Sequence, residues 1–453
     1  MKQATFFLAL LGAIVLAGCG GNGDTTSQSN YNCGSGNKPY KPTTHLAHRS
    51  LVSNYYAGTM QVVDASQDRL TSYTFAVGTQ PTYMQPSPDG TLTLVNNTGG
   101  GSISSFNNNL ESVKATIALG GYTESFVTSV SNKFGFAAVP DYPNGTYRTP
   151  GAIVRFNPTD GSLNTQIQFP NVRYIGMDAA EKHLLAFTQS DDSVNWVDLT
   201  NTDPTTEVPP YYPVTLSDAS GTPVLLSRPI AAFFSSDSSK AYVLNCGFEC
   251  GGTQAPSVTE IDATTITTPA SVATGTGITA KVINTWPVKG ARHGLIDLTA
   301  NKLYVAGSTT TSIANDCPFA DLGTPACATN NGGNNVQDGY FTVIDLAAGT
   351  AGTSIRVGNG IKRWIRNING VFWVASLNCG VQSCITMVNA SGTANVLPTA
   401  NGDATGISLS VNSGEVYTIE GGEFRIYDQK ANPISSQYNT DVKGQASDVL
   451  YID

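Results

Sequence analysis

The chain has 453 residues, a formal net charge of −9 and only 13% charged residues. With 40% hydrophobic residues, 46 Gly and 23 Pro, the composition is globular, which excludes a bundle of membrane spans, a disordered chain and a coiled coil. The acidic balance argues against nucleic-acid binding, which draws on a basic surface to displace counterions.

At the N-terminus, Lys2 precedes an apolar run from Phe6 to Ala17 that is too short to span a bilayer as a mature helix. Residues 1–18 therefore read as an export signal. The run ends in Leu16-Ala17-Gly18-Cys19. This resembles the lipobox of bacterial lipoproteins, in which the cysteine is lipidated and becomes the mature N-terminus. The resemblance implies lipidation of Cys19, a lipid anchor, and, with Gly20 rather than Asp following, delivery to the outer membrane. Each buried methylene contributes about 0.8 kcal/mol and two acyl chains suffice for stable anchoring. Residues 19–44 are rich in Gly, Ser, Asn, Thr and Pro and form a flexible tether. Residues 45–453 make one folded domain.

Within that domain one unit recurs. An alternating strand, a Gly/Asn/Ser turn and a second alternating strand end in an apolar residue followed by Asp or Asn. The acid or amide falls at Asp64, Asn107, Asn157, Asp198, Asp262, Asp345, Asn389 and Asp428. Asp and Asn suit this place because their side chains accept hydrogen bonds from the backbone of the next turn. They read as turn caps and not as ligands. A further strand precedes each hairpin, as in Ile230-Ala231-Ala232-Phe233-Phe234 before Ser236-Asp237. Four strands per unit and a period of about fifty residues predict an all-β fold, a single β-propeller. Eight four-stranded blades fit best, with seven as the alternative. The first unit, near Leu51, lacks its leading strand, and Ala446–Ile452 at the C-terminus has the missing pattern. Pairing the two closes the ring. The units resemble YVTN-type propeller repeats of exported bacterial proteins, best in Gln80-Pro81 through Val95-Asn96 and Arg228-Pro229 through Val243-Leu244. This resemblance implies fold and little about activity.

Six cysteines fall in close pairs: Cys246 with Cys250, Cys317 with Cys327, and Cys379 with Cys384. Export makes disulfides the expectation. Closing such short loops contributes about 2 kcal/mol each. No histidine lies near the Cys-x3-Cys or Cys-x4-Cys spacing, so no metal site is assigned, and Cys33 is left over in the tether.

The four histidines lie outside any zinc-protease or haem-attachment motif, and no nucleophile elbow is visible. No catalytic residue and no cofactor is assigned. One pattern points to binding. The residues leading into the innermost strands line the channel mouth, and over blades 4 to 7 these include Arg173, Arg228, Arg292 with His293, and Lys362 with Arg363. Arg presents a planar fork suited to carboxylate, phosphate or sulfate. The plainer reading is that each pairs with an acid of a neighbouring blade, such as Glu124 or Asp403, or is simply solvated. Two long segments, Thr202–Ser227 and Thr309–Asp338, exceed ordinary hairpin loops and offer a second surface.

Two functions follow. The first is an envelope-anchored binding or scaffold protein, taking a protein partner or an anionic small ligand at the channel mouth and long loops. The alternative is a lactonase-like hydrolase with a metal-assisted site in the channel, marked by three or more inward carboxylates or amides around a void.

Overall fold

The computed structural model describes residues 44–453 except 143–149, 189–190, 201–206, 267–276, 310–337, 380–382, 398–400, 411–413, 429–435, 441 and 443. The signal, the tether with Cys19 and Cys33, and the Cys317–Cys327 pair lie outside the described residues.

Strand pairing divides the chain into eight blades. Blade 1 holds Arg49–Asn54, Thr59–Asp64 and Arg69–Ala76, and its innermost strand is Ala446–Tyr451 from the other end of the chain. The register runs antiparallel through Ser50↔Tyr451 and Val52↔Val449. The ring therefore closes as the sequence predicts, with eight blades and not seven. Blades 2 to 8 begin with the innermost strands Pro81–Pro86, Ser125–Thr128, Val172–Met177, Pro229–Phe234, His293–Asp297, Ile361–Ile368 and Ala404–Ser410.

Burial follows position in the blade. Pro229–Phe234 is buried at every residue, whereas the outermost strand of the same blade, Ile278–Pro287, alternates along most of its length. Inner strands are covered on both faces by adjacent blades, so they read as continuous apolar runs. Aromatic pairs bridge neighbouring blades, with Tyr83 stacked on Phe126 at 5.4 Å and Trp373 against Tyr427 at 5.8 Å.

The hairpin acids and amides act as caps. Oδ1 of Asp64, Asn107, Asn157, Asp198, Asp262, Asp345 and Asn389 accepts a backbone N–H two or three residues on, at 2.8–3.1 Å. The turn after Asp428 lies outside the described residues.

One segment departs from the sequence reading. Within Thr202–Ser227, residues Tyr211–Ser217 are the outermost strand of blade 4 and not loop. Pro213 had disguised it, since Pro is confined to sheet edges where no ladder N–H is needed. This strand also pairs in parallel with Ile278–Pro287, joining blades 4 and 5 into one eight-stranded sheet.

Candidate functional site at the channel mouth

The innermost strands of blades 4 to 7 bring the predicted cations to one place. Arg173, Arg228 and Arg292 line a cavity of about 280 Å³, and Arg173, Arg292, His293, Lys362 and Arg363 line a second of about 330 Å³. Arg173, Tyr174, Ile230 and Arg292 belong to both. All six residues picked from the sequence pattern thus converge, but they do not play equal parts.

Arg173 is neutralised. Its Nε and Nη2 donate to the two carboxylate oxygens of Glu124 at 2.7 and 2.8 Å, a bidentate pair between blades 3 and 4. Lys362 is buried, and its ammonium donates to the carbonyls of Gly358 and Asn359 and to Ser376 Oγ. An ammonium has three donors, and three protein oxygens take them. Lys362 contributes charge to the cavity and no free donor. His293 is also buried, and burial, then Arg366, Arg363 and Arg292, push its pKa well below the usual value. It stays a neutral ring and does not belong to the cationic ring.

Three guanidiniums remain. Arg228 sends Nε and Nη2 towards the Gly251 carbonyl at 3.4 Å, and its Nη1 is buried with no partner. Arg292 donates from Nη1 to Cys250 Sγ at 2.7 Å and lies beside Tyr174. Arg363 lies over the rings of Trp364 and Tyr83, with its central carbon 5.1 and 5.8 Å from the centroids. None of the three guanidiniums makes an ion pair with a carboxylate among the described residues. Acids do lie near: Asp192 Oδ1 accepts the Arg228 backbone N–H at 2.8 Å. Against burial, Arg228 helps hold the Asp191 pKa down, and Arg292 pulls against the burial that raises Glu249. Asp403, expected as a neutralising acid, instead accepts the Asn378 N–H at 2.7 Å.

Three further residues enter that the sequence pattern did not single out. Glu249 lines the first cavity from a short turn, Gly247–Cys250, closed by the Cys246–Cys250 disulfide. Its Oε2 accepts the Ser308 N–H at 2.8 Å, its Oε1 is buried without a partner, and burial pushes its pKa up. Asp448 and Arg366, from the innermost strands of blades 1 and 7, are buried, and the Arg366 charge acts on His293. Asp448 accepts the Met84 and Val449 N–H groups at 2.6 and 2.8 Å. Burial pushes its pKa up to about 7, against the opposing pull of those N–H groups and of Arg366 and Arg363. Export and the Cys-x3-Cys spacing pointed to the Glu249 turn, whereas an Asp inside an apolar terminal strand carried no such sign.

No protein-family model and no curated protein matches the chain. Among solved structures it is similar to the dihydro-heme d1 dehydrogenase NirN, in complex with DHE, at 13% identity and a TM-score of 0.58, over 91% of this chain and 78% of that one. It is also similar to the periplasmic gluconolactonase PpgL of Pseudomonas aeruginosa (13% identity, TM-score 0.48, 90% and 99% covered) and to the hydrazine synthase of Kuenenia stuttgartiensis (12%, 0.46, 82% and 89%). At these identities the likeness is one of fold. The YVTN-type resemblance accordingly stands as shared propeller architecture.

Proposed function

We propose that this chain is an envelope-tethered propeller that binds a small anionic ligand at its channel mouth. The observation that carries the reading is the convergence of the Arg228, Arg292 and Arg363 guanidiniums with no ion pair to a carboxylate among the described residues, in a chain with 33 acidic and 24 basic residues. Like charges held together repel by about 1 kcal/mol per pair at close range in water, and more where half-buried. A bound anion relieves that repulsion. The hydrolase alternative needs converging oxygen ligands, and among the described residues the two buried carboxylate or amide oxygens without a partner at the mouth, Asn96 Oδ1 and Glu249 Oε1, line different cavities. The tether through Cys19 belongs to the same proposal, and a Cys19→Ser variant should leave the membrane fraction.

Titration with phosphate, sulfate and acetate at two salt concentrations tests the binding reading. Wild type should bind at least one of them in a salt-sensitive way, and Arg228→Ala should bind it several-fold more weakly at unchanged thermal stability. Equal, salt-insensitive binding by both proteins, or none by either, would sink it.

A further inference from the structure

Resting on that reading, we infer that the channel mouth takes a polyhydroxylated small molecule with an anionic group at each end. The two cavities share one wall, made by Arg173, Tyr174, Ile230 and Arg292. Beyond that wall each cavity has a guanidinium of its own: Arg228 in one, Arg363 in the other. Neither guanidinium makes an ion pair among the described residues, although the Arg228 backbone N–H donates to Asp192 Oδ1 at 2.8 Å, and Arg173, which lies in both cavities, is taken up by Glu124. The unspent positive charge is therefore split between two ends, with Arg292 central. A single small anion satisfies one end and leaves the other.

The body of the ligand follows from the acceptors. Asn96 Oδ1 in one cavity and Glu249 Oε1 in the other are buried and have no partner. A buried acceptor left unpaired costs about 1–3 kcal/mol, and neither a carboxylate nor a fully ionised phosphate has a proton to offer it. Hydroxyl groups do. Thr82 and Thr98, hydrogen-bonded to each other at 2.8 Å, and Thr188, which accepts the Asp191 N–H, add hydroxyls along the same walls, whereas the buried Thr123 hydroxyl is already given to the Ser125 and Ala138 carbonyls. Anionic ends for the two arginines and hydroxyls between them describe a sugar diacid or a doubly phosphorylated sugar.

The test is calorimetry on the full chain with matched pairs that differ in one anionic group. The pairs are D-gluconate against D-glucarate, and glucose 6-phosphate against glucose 1,6-bisphosphate, with adipate as the diacid lacking hydroxyls. The second anionic group should tighten binding at least tenfold in one pair or both, and adipate should bind more weakly than glucarate. Arg228→Gln and Arg363→Gln should each bring the doubly anionic ligand down to the level of its single-charged counterpart. The wild-type comparison stands even where a variant fails to fold. If neither pair shows a gain while the monoanions bind, the two-ended ligand is wrong and the anion site remains. If adipate equals glucarate, the hydroxylated body is wrong. If no anion binds, inorganic phosphate included, both readings fall together.

Discussion

Arg228 holds a backbone φ of 53°, in the left-handed region, immediately before Pro229. For a residue with a Cβ this costs about 1–2 kcal/mol. Strained residues persist where the surroundings over-determine them, and they gather at functional sites. The strain gives a variant that separates fold from binding: Arg228→Gly removes the guanidinium and relaxes the backbone, whereas Arg228→Ala keeps the strain. The glycine variant should melt at or about 2 °C above wild type, while losing anion affinity as the alanine variant does. A fall in melting temperature would instead make Arg228 a structural residue. Asp448 sets a second prediction at this scale. Its folded-state pKa lies near 7 and its unfolded value near 3.8, so the folded chain holds the proton more tightly. The stability this contributes is fully present below about pH 4 and is lost as pH rises to about 7, on the order of 4 kcal/mol in total. Urea unfolding across that window should show wild type losing stability. Asp448→Asn should be flatter, even if weaker throughout because an amide offers one acceptor oxygen to two N–H groups. Parallel pH profiles for the two proteins would remove Asp448 as the cause.

Two hairpin loops carry disulfides at equivalent places, where Lys240–Asn245 of blade 5 and Val371–Leu377 of blade 7 end. The placement is the same and the consequence is not. The blade 5 turn presents Glu249 to blade 6 and Cys250 Sγ to Arg292. Each bridge should contribute roughly 2 kcal/mol or less, given the short loops it closes. Replacing Cys246 and Cys250 by Ser should therefore weaken anion binding as well as stability, while replacing Cys379 and Cys384 should affect stability alone. Equal binding in both double variants would detach Arg292 from the disulfide. The sequence made these turns and the eight hairpins legible because they depend on local chemistry, an Asx cap or a short Cys spacing. The convergence of Arg173, Arg228, Arg292 and Arg363 was legible for a related reason: one blade position maps to one place on the ring. Glu124 was read there as a neutralising acid, and it pairs with Arg173. What Lys362 and His293 do was not legible, because the Lys362 side chain folds back on its own turn and onto Ser376 of the next strand, and the burial of His293 is set by neighbouring blades. Tyr211–Ser217 was missed because Pro213 breaks the strand signal, although the segment pairs with its own blade through Val194–Asp198.

Among the described residues no disulfide joins the first and last strands of blade 1, so the ring depends on what pairs them there. Ala446, Val449, Leu450 and Tyr451 are buried there, and leaving them out would expose an unpaired edge on both sides of the gap. A second device lies at the end of that strand. Arg49, fully buried, donates from Nε and Nη2 to Asp453 at 2.9 and 2.6 Å, and from Nη1 to Glu111 of the blade 2 hairpin at 2.8 Å and to the Asn108 carbonyl at 2.7 Å. One guanidinium thus ties the last residue to blade 1 and to its neighbour. Two acids share this cation, so removing it leaves buried carboxylates with nothing to balance them. Breaking such a pair from one side costs about 3–5 kcal/mol. Arg49→Ala should lose stability in that range in denaturant unfolding, and adding Glu111→Gln should recover part of it by taking away one uncompensated charge. Deleting Ala446–Asp453 should do more, cutting soluble yield sharply because both edges are then open. A truncated chain that stays soluble and melts with wild type would show that blade 1 closes without its C-terminal strand. An Arg49→Ala protein of unchanged stability would leave the apolar contacts of that strand to hold the ring alone.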